Sequence, residues 1–201
     1  MMGVTVPYEL TGRVNQKSRT RDALIAGARA LLAQGVTPTM EGASAAAAIS
    51  RTTAYRYFPT LRDLLVAAYP HIDQESLLGL DPPDDPAARL EIVAESHTRR
   101  ILKYEAEQRT VLRLSLDPDP ARAPDVPMSR GMRIGWIEDA LSPLQGRLTE
   151  PELTRLVHAI GATLGIESFV WLTDVAGVPR EEAASIMRSN ASALLASALS
   201  G

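Results

Sequence analysis

The chain has 201 residues, no cysteine, and a formal charge of −3 from 21 basic and 24 acidic side chains. That length allows one or two domains with a packed core, and the lack of cysteine excludes a disulfide framework, a Cys-based zinc site and a Cys nucleophile. A hydrophobic content of 45% with 22% charged residues excludes a fully disordered chain. No run approaches the roughly 18 uninterrupted apolar residues of a membrane helix, and residues 1–16 lack the apolar segment of a signal peptide, so a cytoplasmic protein is expected.

Almost every long segment reads as helix, since strand-length alternation and hairpin dipeptides are missing. Residues 1–16 are expected to be a disordered arm. A first helix is predicted from Ser18 to Gln34, with Leu24, Ala28, Leu31 and Leu32 as its apolar stripe and Gly35 as its left-handed stop. A short helix capped by Thr39 runs to Ala46, and another runs from Ser50 to Phe58. Thr60 and Asp63 have capping-box spacing and open a helix to Tyr69.

Half of the 14 prolines fall in two stretches, Pro82–Pro86 and Pro118–Pro127, which read as loops. Asp85-Pro86 opens a helix predicted to reach Glu107, with a shorter piece from Arg109 to Leu116. Further helices are predicted for Ser129–Leu141, for Thr149–Asp174 and for Pro179–Leu199. The fold class is therefore all-α.

The modest net charge conceals an asymmetry. Residues 1–69 hold eight basic and four acidic side chains, a net +4, and residues 70–201 carry −7. A basic head on an acidic body is the distribution expected of a nucleic-acid-binding unit joined to a body that does not bind it. Because 19 of the 21 basic residues are Arg and 29 residues are Ala, any single arginine is weak evidence for a site; at Arg19, Arg21 and Arg29 a solvated surface is the expectation.

The segment Thr39–Leu65 carries the chemistry. Two short helices joined by a tight turn at Ala47–Ile49 have the form of a helix-turn-helix. At about 100° per residue, Ala54 and Phe58 point back toward the first helix. Thr52, Thr53, Arg56 and Tyr57 point outward, with Arg51 and Tyr55 on the flank. These donors and cations suit base edges and phosphates, Arg56 above all because its fork matches two guanine acceptors. Tyr55 and Tyr57 are read as phosphate contacts in preference to core aromatics, and Ser50 as the cap of the second helix.

Ile49-Ser-Arg-Thr-Thr-Ala-Tyr-Arg-Tyr-Phe-Pro59 followed by Asp63-Leu-Leu65 resembles the signature of TetR-type transcriptional repressors, and Ala28, Leu31, Gly35 and Thr39 fit the preceding helix and cap. The detailed match spans about residues 20–66. Family members usually carry glycine where this chain has Ala48 and a basic residue where it has Leu61; Arg62 can substitute for the latter. The resemblance implies an N-terminal three-helix DNA-binding domain (17–69) and a helical effector-binding and dimerisation domain (70–201). It implies a repressor released from a palindromic operator by a small-molecule effector. The DNA-binding set is Thr39, Ser50, Arg51, Thr52, Thr53, Tyr55, Arg56, Tyr57 and Arg62.

In the body, a homodimer through the last two helices is expected. Leu156, Val157, Ile160 and Trp171, with small Ala159, Gly161 and Ala162 between them, and then Met187, Ala191 and Leu194 make those helices apolar nearly all round and open to close approach, which a monomeric core would also require. A pocket is expected to draw on His97, Ile101, Tyr104, Met132, Trp136 and Phe169, although a histidine on an apolar stripe also reads as a core residue. No cofactor or metal is expected. An enzyme is the main rival, but the three dispersed histidines lack metal-ligand spacing and no phosphate loop or nucleophile elbow occurs. A helical protein-interaction module whose helix-turn-helix serves packing alone is the third reading.

Overall fold

A computed structural model describes residues 8–68, 75–116 and 130–200, with side chains placed from residue 16 onward and, after the second gap, from residue 132. The predicted second proline-rich stretch, Tyr69 and Ser129 lie outside these residues. The described residues form ten α-helices and no strand. They divide into two compact units, a head ending by residue 70 and a body beginning at 71.

The head comprises α1 (Tyr8–Ala33), α2 (Met40–Ala46), α3 (Arg51–Tyr57) and α4 (Leu61–Ala68). Its core is Leu24, Ala28, Leu32, Met40, Ala43, Ala54, Phe58, Leu64 and Leu65. Helix α1 packs on both α2 and α4. At Gly27 a Cβ would stand 2.7 Å from the Ala43 carbonyl oxygen, so only glycine lets α1 and α2 approach this closely. The first helix starts at Tyr8, ten residues before its predicted start at Ser18, and so replaces most of the expected disordered arm. Pro7 suits a helix start and no proline follows until Pro38, so nothing stops the helix from extending through this stretch.

Local caps fix the remaining ends. Gly42 N–H donates to Thr39 Oγ1 at 3.0 Å, and Thr53 N–H to Ser50 Oγ at 3.2 Å. Thr60 and Asp63 exchange reciprocal bonds of 3.1 Å. Two helices end in the same motif. Past α1, Val36 N–H bonds the Leu31 carbonyl and Gly35 N–H that of Leu32; past α2, Ile49 N–H bonds the Ser44 carbonyl and Ala48 N–H that of Ala45. Both are Schellman turns with a left-handed residue in the penultimate position. Gly35 takes φ +70° freely, whereas Ala48 takes φ +54° against a steric cost of about 1 kcal/mol.

The body comprises α5 (Pro86–Lys103), α6 (Glu105–Ser115), α7 (Arg130–Leu141), α8 (Glu150–Thr163), α9 (Ile166–Val170) and α10 (Arg180–Ser200). A 3-10 turn follows α7, and a π-helical turn, Trp171–Val175, follows α9. Helix α5 packs against α7 and α10, and α8 against the same two. Their shared core includes Leu90, Ile101, Ile137, Leu141, Ile160, Leu164, Phe169 and Met187. Asp85 caps α5 through Ala88 N–H at 3.0 Å, with Pro86 in the first turn, and Thr149 with Glu152 forms the capping box of α8.

Two predicted helices are broken. The helix expected to run from Pro86 to Glu107 stops at Tyr104, whose backbone leaves the helical region at φ −120°, ψ +34°. The helix expected from Thr149 to Asp174 breaks at Leu164–Gly165. Arg133 and Glu167 pair at 3.1 Å across Gly165, where any Cβ would collide with both side chains.

Ion pairs reach between distant segments of the body. Arg89, almost fully buried, donates to the carbonyls of Asp139 (2.9 Å), Ala140 (3.2 Å) and Pro83 (3.3 Å) and to Asp139 Oδ1 (3.2 Å). It thereby satisfies the carbonyl end of α7 with a cation, where the helix dipole favours one. Arg109 grips Asp174 with both arms of its fork, at 2.6 and 2.7 Å. Those bonds, followed by one from Thr173, hold the Asp174 carboxyl at about 2. By length and composition the run Glu150–Val175 would suffice for a membrane span, yet its large side chains Leu156, Val157, Ile160, Leu164 and Phe169 fill this core.

Candidate functional site

The exposed chemistry of the head is concentrated on α3. Ala54 is fully buried and Phe58 nearly so, facing the head's own core. Arg51, Thr52, Tyr55 and Arg56 are exposed, while Thr53 and Tyr57 are half-buried. The Thr53 hydroxyl is engaged locally, accepting from Ser50 Oγ at 2.9 Å. Thr39 and Ser50 lie exposed at the starts of α2 and α3, each already capping its own helix, and Arg62 is exposed on α4.

The cations of this face are oriented by their neighbours. Arg51 pairs with Glu41 at 2.7 Å and lies 5.5 Å from the Tyr55 ring centroid. Arg56 lies 5.6 Å from the Tyr57 ring. Such stacking restricts a long side chain without consuming its hydrogen-bond donors. Three residues of α1 that the sequence reading did not single out join the set. Gln16, Lys17 and Thr20 line an open recess with Thr53, Arg56 and Tyr57, and this lining carries two cations and no acid. A sequence signal existed in Lys17 and Arg21, one turn apart, but only packing brings α1 beside α3.

Of the three α1 arginines expected to be solvated surface, Arg21 and Arg29 are exposed and also make contacts within the head. Arg29 Nε donates to the Ala68 carbonyl at 2.8 Å, closing the end of α4, and Arg21 lies 5.4 Å from the Phe58 ring.

In the body, His97, Met132 and Trp136 of the six candidate pocket residues group together, whereas Ile101 and Phe169 belong to a different cluster. Ile101 and Phe169 are fully buried within the main core. Trp136 is buried with Val93 and Ala140, and half-buried Met132 packs against them. Tyr104 stands at the α5–α6 break with the Lys103 ammonium 5.1 Å from its ring. His97 is buried and tilted 59° to the Trp136 ring at 5.7 Å. Among the described residues neither of its nitrogens has a hydrogen-bond partner. Burial, followed by the nearby Arg133 and Arg100 charges, pushes the imidazole down to about 3; the Leu164 carbonyl, short of hydrogen-bond geometry, and Glu167 act weakly the other way. The ring is therefore neutral at physiological pH. Among the described residues no group of three or more His, Asp or Glu could hold a metal ion.

The side chains on which the expected dimer interface rested are mostly spent inside one protomer. Leu156, Val157, Ile160, Met187 and Ala191 are buried in its own core and Leu194 is half-buried against it. The outward faces carry Thr154, His158 and the expected Ala162 on α8, and Ser189, Ala193, Ala196 and Leu199 on α10. Trp171 and Val175 are also exposed, at 58% and 71%.

No protein-family model and no curated protein matches the chain. Among solved structures it is similar to the crystal structure of a TetR transcriptional regulator from Rhodococcus sp. RHA1. The likeness has a TM-score of 0.55 at 19% identity and covers 90% of this chain and 97% of that one. The chain thus shares its all-α fold with that TetR transcriptional regulator.

Proposed function

We propose that the protein is a DNA-binding transcriptional regulator, a cytoplasmic homodimeric repressor that leaves its operator when a small-molecule effector binds its body. The observation that carries this reading is the doubly capped α2–turn–α3 unit, which turns its apolar side chains into the head and leaves Arg51, Thr52, Tyr55 and Arg56 in solvent. In the proposed complex α3 enters the major groove, and Arg56 pairs with a guanine edge. Thr39, Ser50, Arg51, Thr53, Tyr55, Tyr57 and Arg62 hold the phosphates on either side, joined by Lys17 and Thr20 of the recess. The basic head and acidic body support the same division, because phosphate attraction is confined to the first 69 residues.

A second copy supplies the second α3, so that two half-sites about one DNA turn apart are read together. The small residues on the outward faces of α8 and α10 suit close helix approach between copies, and exposed Trp171 and Val175 extend the apolar surface. An effector that binds better to a different spacing of the two heads shifts the population away from the operator.

The test is equilibrium binding of the full-length protein to duplex DNA from upstream of its own gene across a salt series. The expected plot of log affinity against log salt falls steeply, with a slope of about −0.9 per phosphate neutralised. Absent or salt-independent binding would falsify the DNA reading.

A further inference from the structure

We propose that Glu41 is a specificity-determining residue of the DNA face, whose carboxylate accepts a hydrogen bond from the amino group of a cytosine while Arg51 holds it in place. This rests on the reading of α3 as the helix that enters the major groove, and adds to it a base contact from α2.

The other acids of the head with placed side chains are engaged on their own helices. Asp22 accepts from Ser18 Oγ on α1 at 3.1 Å, and Asp63 closes the cap of α4. Glu41 instead reaches from α2 to the first residue of α3, where its Oε1 lies 2.7 Å from Arg51 Nη1. Arg51 is held from another side by Tyr55, whose ring centroid is 5.5 Å from the guanidinium carbon. The two restraints orient the carboxylate beside the exposed residues of α3. An acid in the first turn of a helix is favoured by the helix dipole wherever its side chain points, so α2 by itself does not require this pairing. Both side chains stay more than half exposed, and an ionised carboxylate has about four lone-pair sites. Acceptor capacity is therefore left over after the ion pair.

Electrostatics and base chemistry then select the partner. An isolated carboxylate is repelled by DNA phosphates, whereas the Glu41–Arg51 pair is neutral as a whole and can approach them. Donors on the base edges of the major groove come from cytosine N4 and adenine N6. Adenine sets its N7 acceptor beside that amino group, where it repels a carboxylate; cytosine offers the amino group without an acceptor next to it. The guanidinium of Arg51 carries five N–H donors, enough to hold a phosphate and the Glu41 carboxylate together.

The experiment selects binding sites for the full-length protein from a library of random duplex DNA. Wild type, Glu41→Gln and Glu41→Ala are run in parallel, with thermal unfolding confirming that both variants fold. The wild-type motif is expected to contain one cytosine per half-site whose preference disappears in Glu41→Ala. Glu41→Gln is expected to admit adenine at that position, because a glutamine amide matches adenine N6 and N7. The rest of the motif is expected to stay the same in both variants. In titrations of single duplexes, changing that C·G pair to T·A should weaken wild type about ten-fold and Glu41→Ala less than about two-fold. Cytosine retained in Glu41→Ala, adenine still rejected by Glu41→Gln, or a loss shared by all positions overturns the proposal. If wild type enriches a motif that Glu41→Ala leaves unchanged, the cytosine contact alone is wrong; if wild type enriches no motif, the DNA reading fails with it.

Discussion

Head and body place their polar chemistry on opposite sides of their surfaces. On the head, Arg51, Thr52, Tyr55 and Arg56 stand in solvent on a seven-residue helix whose first turn is closed by the Ser50 side chain, three residues before Thr53. In the body, Arg89, His97 and Thr98 are buried, and their partners or neighbours come from segments far along the chain. The difference has a physical consequence. An exposed side chain on a locally capped helix can be exchanged with little effect on folding, so its variants report on binding. A buried polar side chain is tied to stability, because removing one partner strands the other in a low-dielectric interior.

The sharpest break of that comparison is Arg89→Ala. It removes the cation that satisfies the end of α7 and strands the Asp139 and Ala140 carbonyls. A loss of about 3–5 kcal/mol is expected in denaturant unfolding; a change below about 1 kcal/mol would place Arg89 with the exposed arginines of the head.

His97 gives the next largest effect and appears as a pH dependence. Its folded-state pKa lies below its ordinary value of 6.5, so the unfolded chain takes up a proton that the folded chain refuses. Its contribution is complete above about pH 6.5 and is lost as the pH falls toward about 3, with a slope of at most about 1.4 kcal/mol per pH unit. His97→Phe should lack that component, which unfolding curves at pH 7 and pH 5 will show; parallel loss in both proteins would mean that the folded ring protonates normally.

On the head, Arg56→Ala should cost about 1–3 kcal/mol on the cognate operator and less on random duplex, with unfolding unchanged to within about 0.5 kcal/mol. Equal losses on the two DNAs would reassign Arg56 to the phosphates. The smallest effect is a gain. Ala48→Gly relieves the left-handed strain in the α2–α3 turn and should stabilise the head by about 1 kcal/mol, seen as a higher melting temperature. A destabilised variant would show that glycine's added freedom in the unfolded chain outweighs the relief.

The head was legible because its signals are short-range. Thr39, Ser50 and Thr60 were recognisable as caps from spacing alone, and each makes the bond its position requires. The 100° periodicity separated Ala54 and Phe58 from Thr52 and Arg56. The extension of α1 to Tyr8 escaped because propensity alone does not say whether a polar stretch continues a helix or frays. The recess with Lys17 and Thr20 escaped because helix contact, not chain spacing, brings α1 beside α3.

In the body the apolar stripes identified helices but not what they face. Leu156, Ile160 and Met187 fit an intersubunit seam or a protomer core equally well from their periodicity, and packing assigned them to the core. The break at Gly165 needed Arg133, 32 positions away, to occupy the space beside it. The amino-acid sequence by itself determined an all-α chain, its capped helix-turn-helix and the +4 and −7 division of charge, since these depend on residues a turn or two apart. Tertiary structure alone decided which arginines are buried, that the His97 imidazole is buried against Trp136, and which faces of α8 and α10 remain outside. Those outcomes depend on desolvation and charge proximity between segments that sequence spacing does not relate.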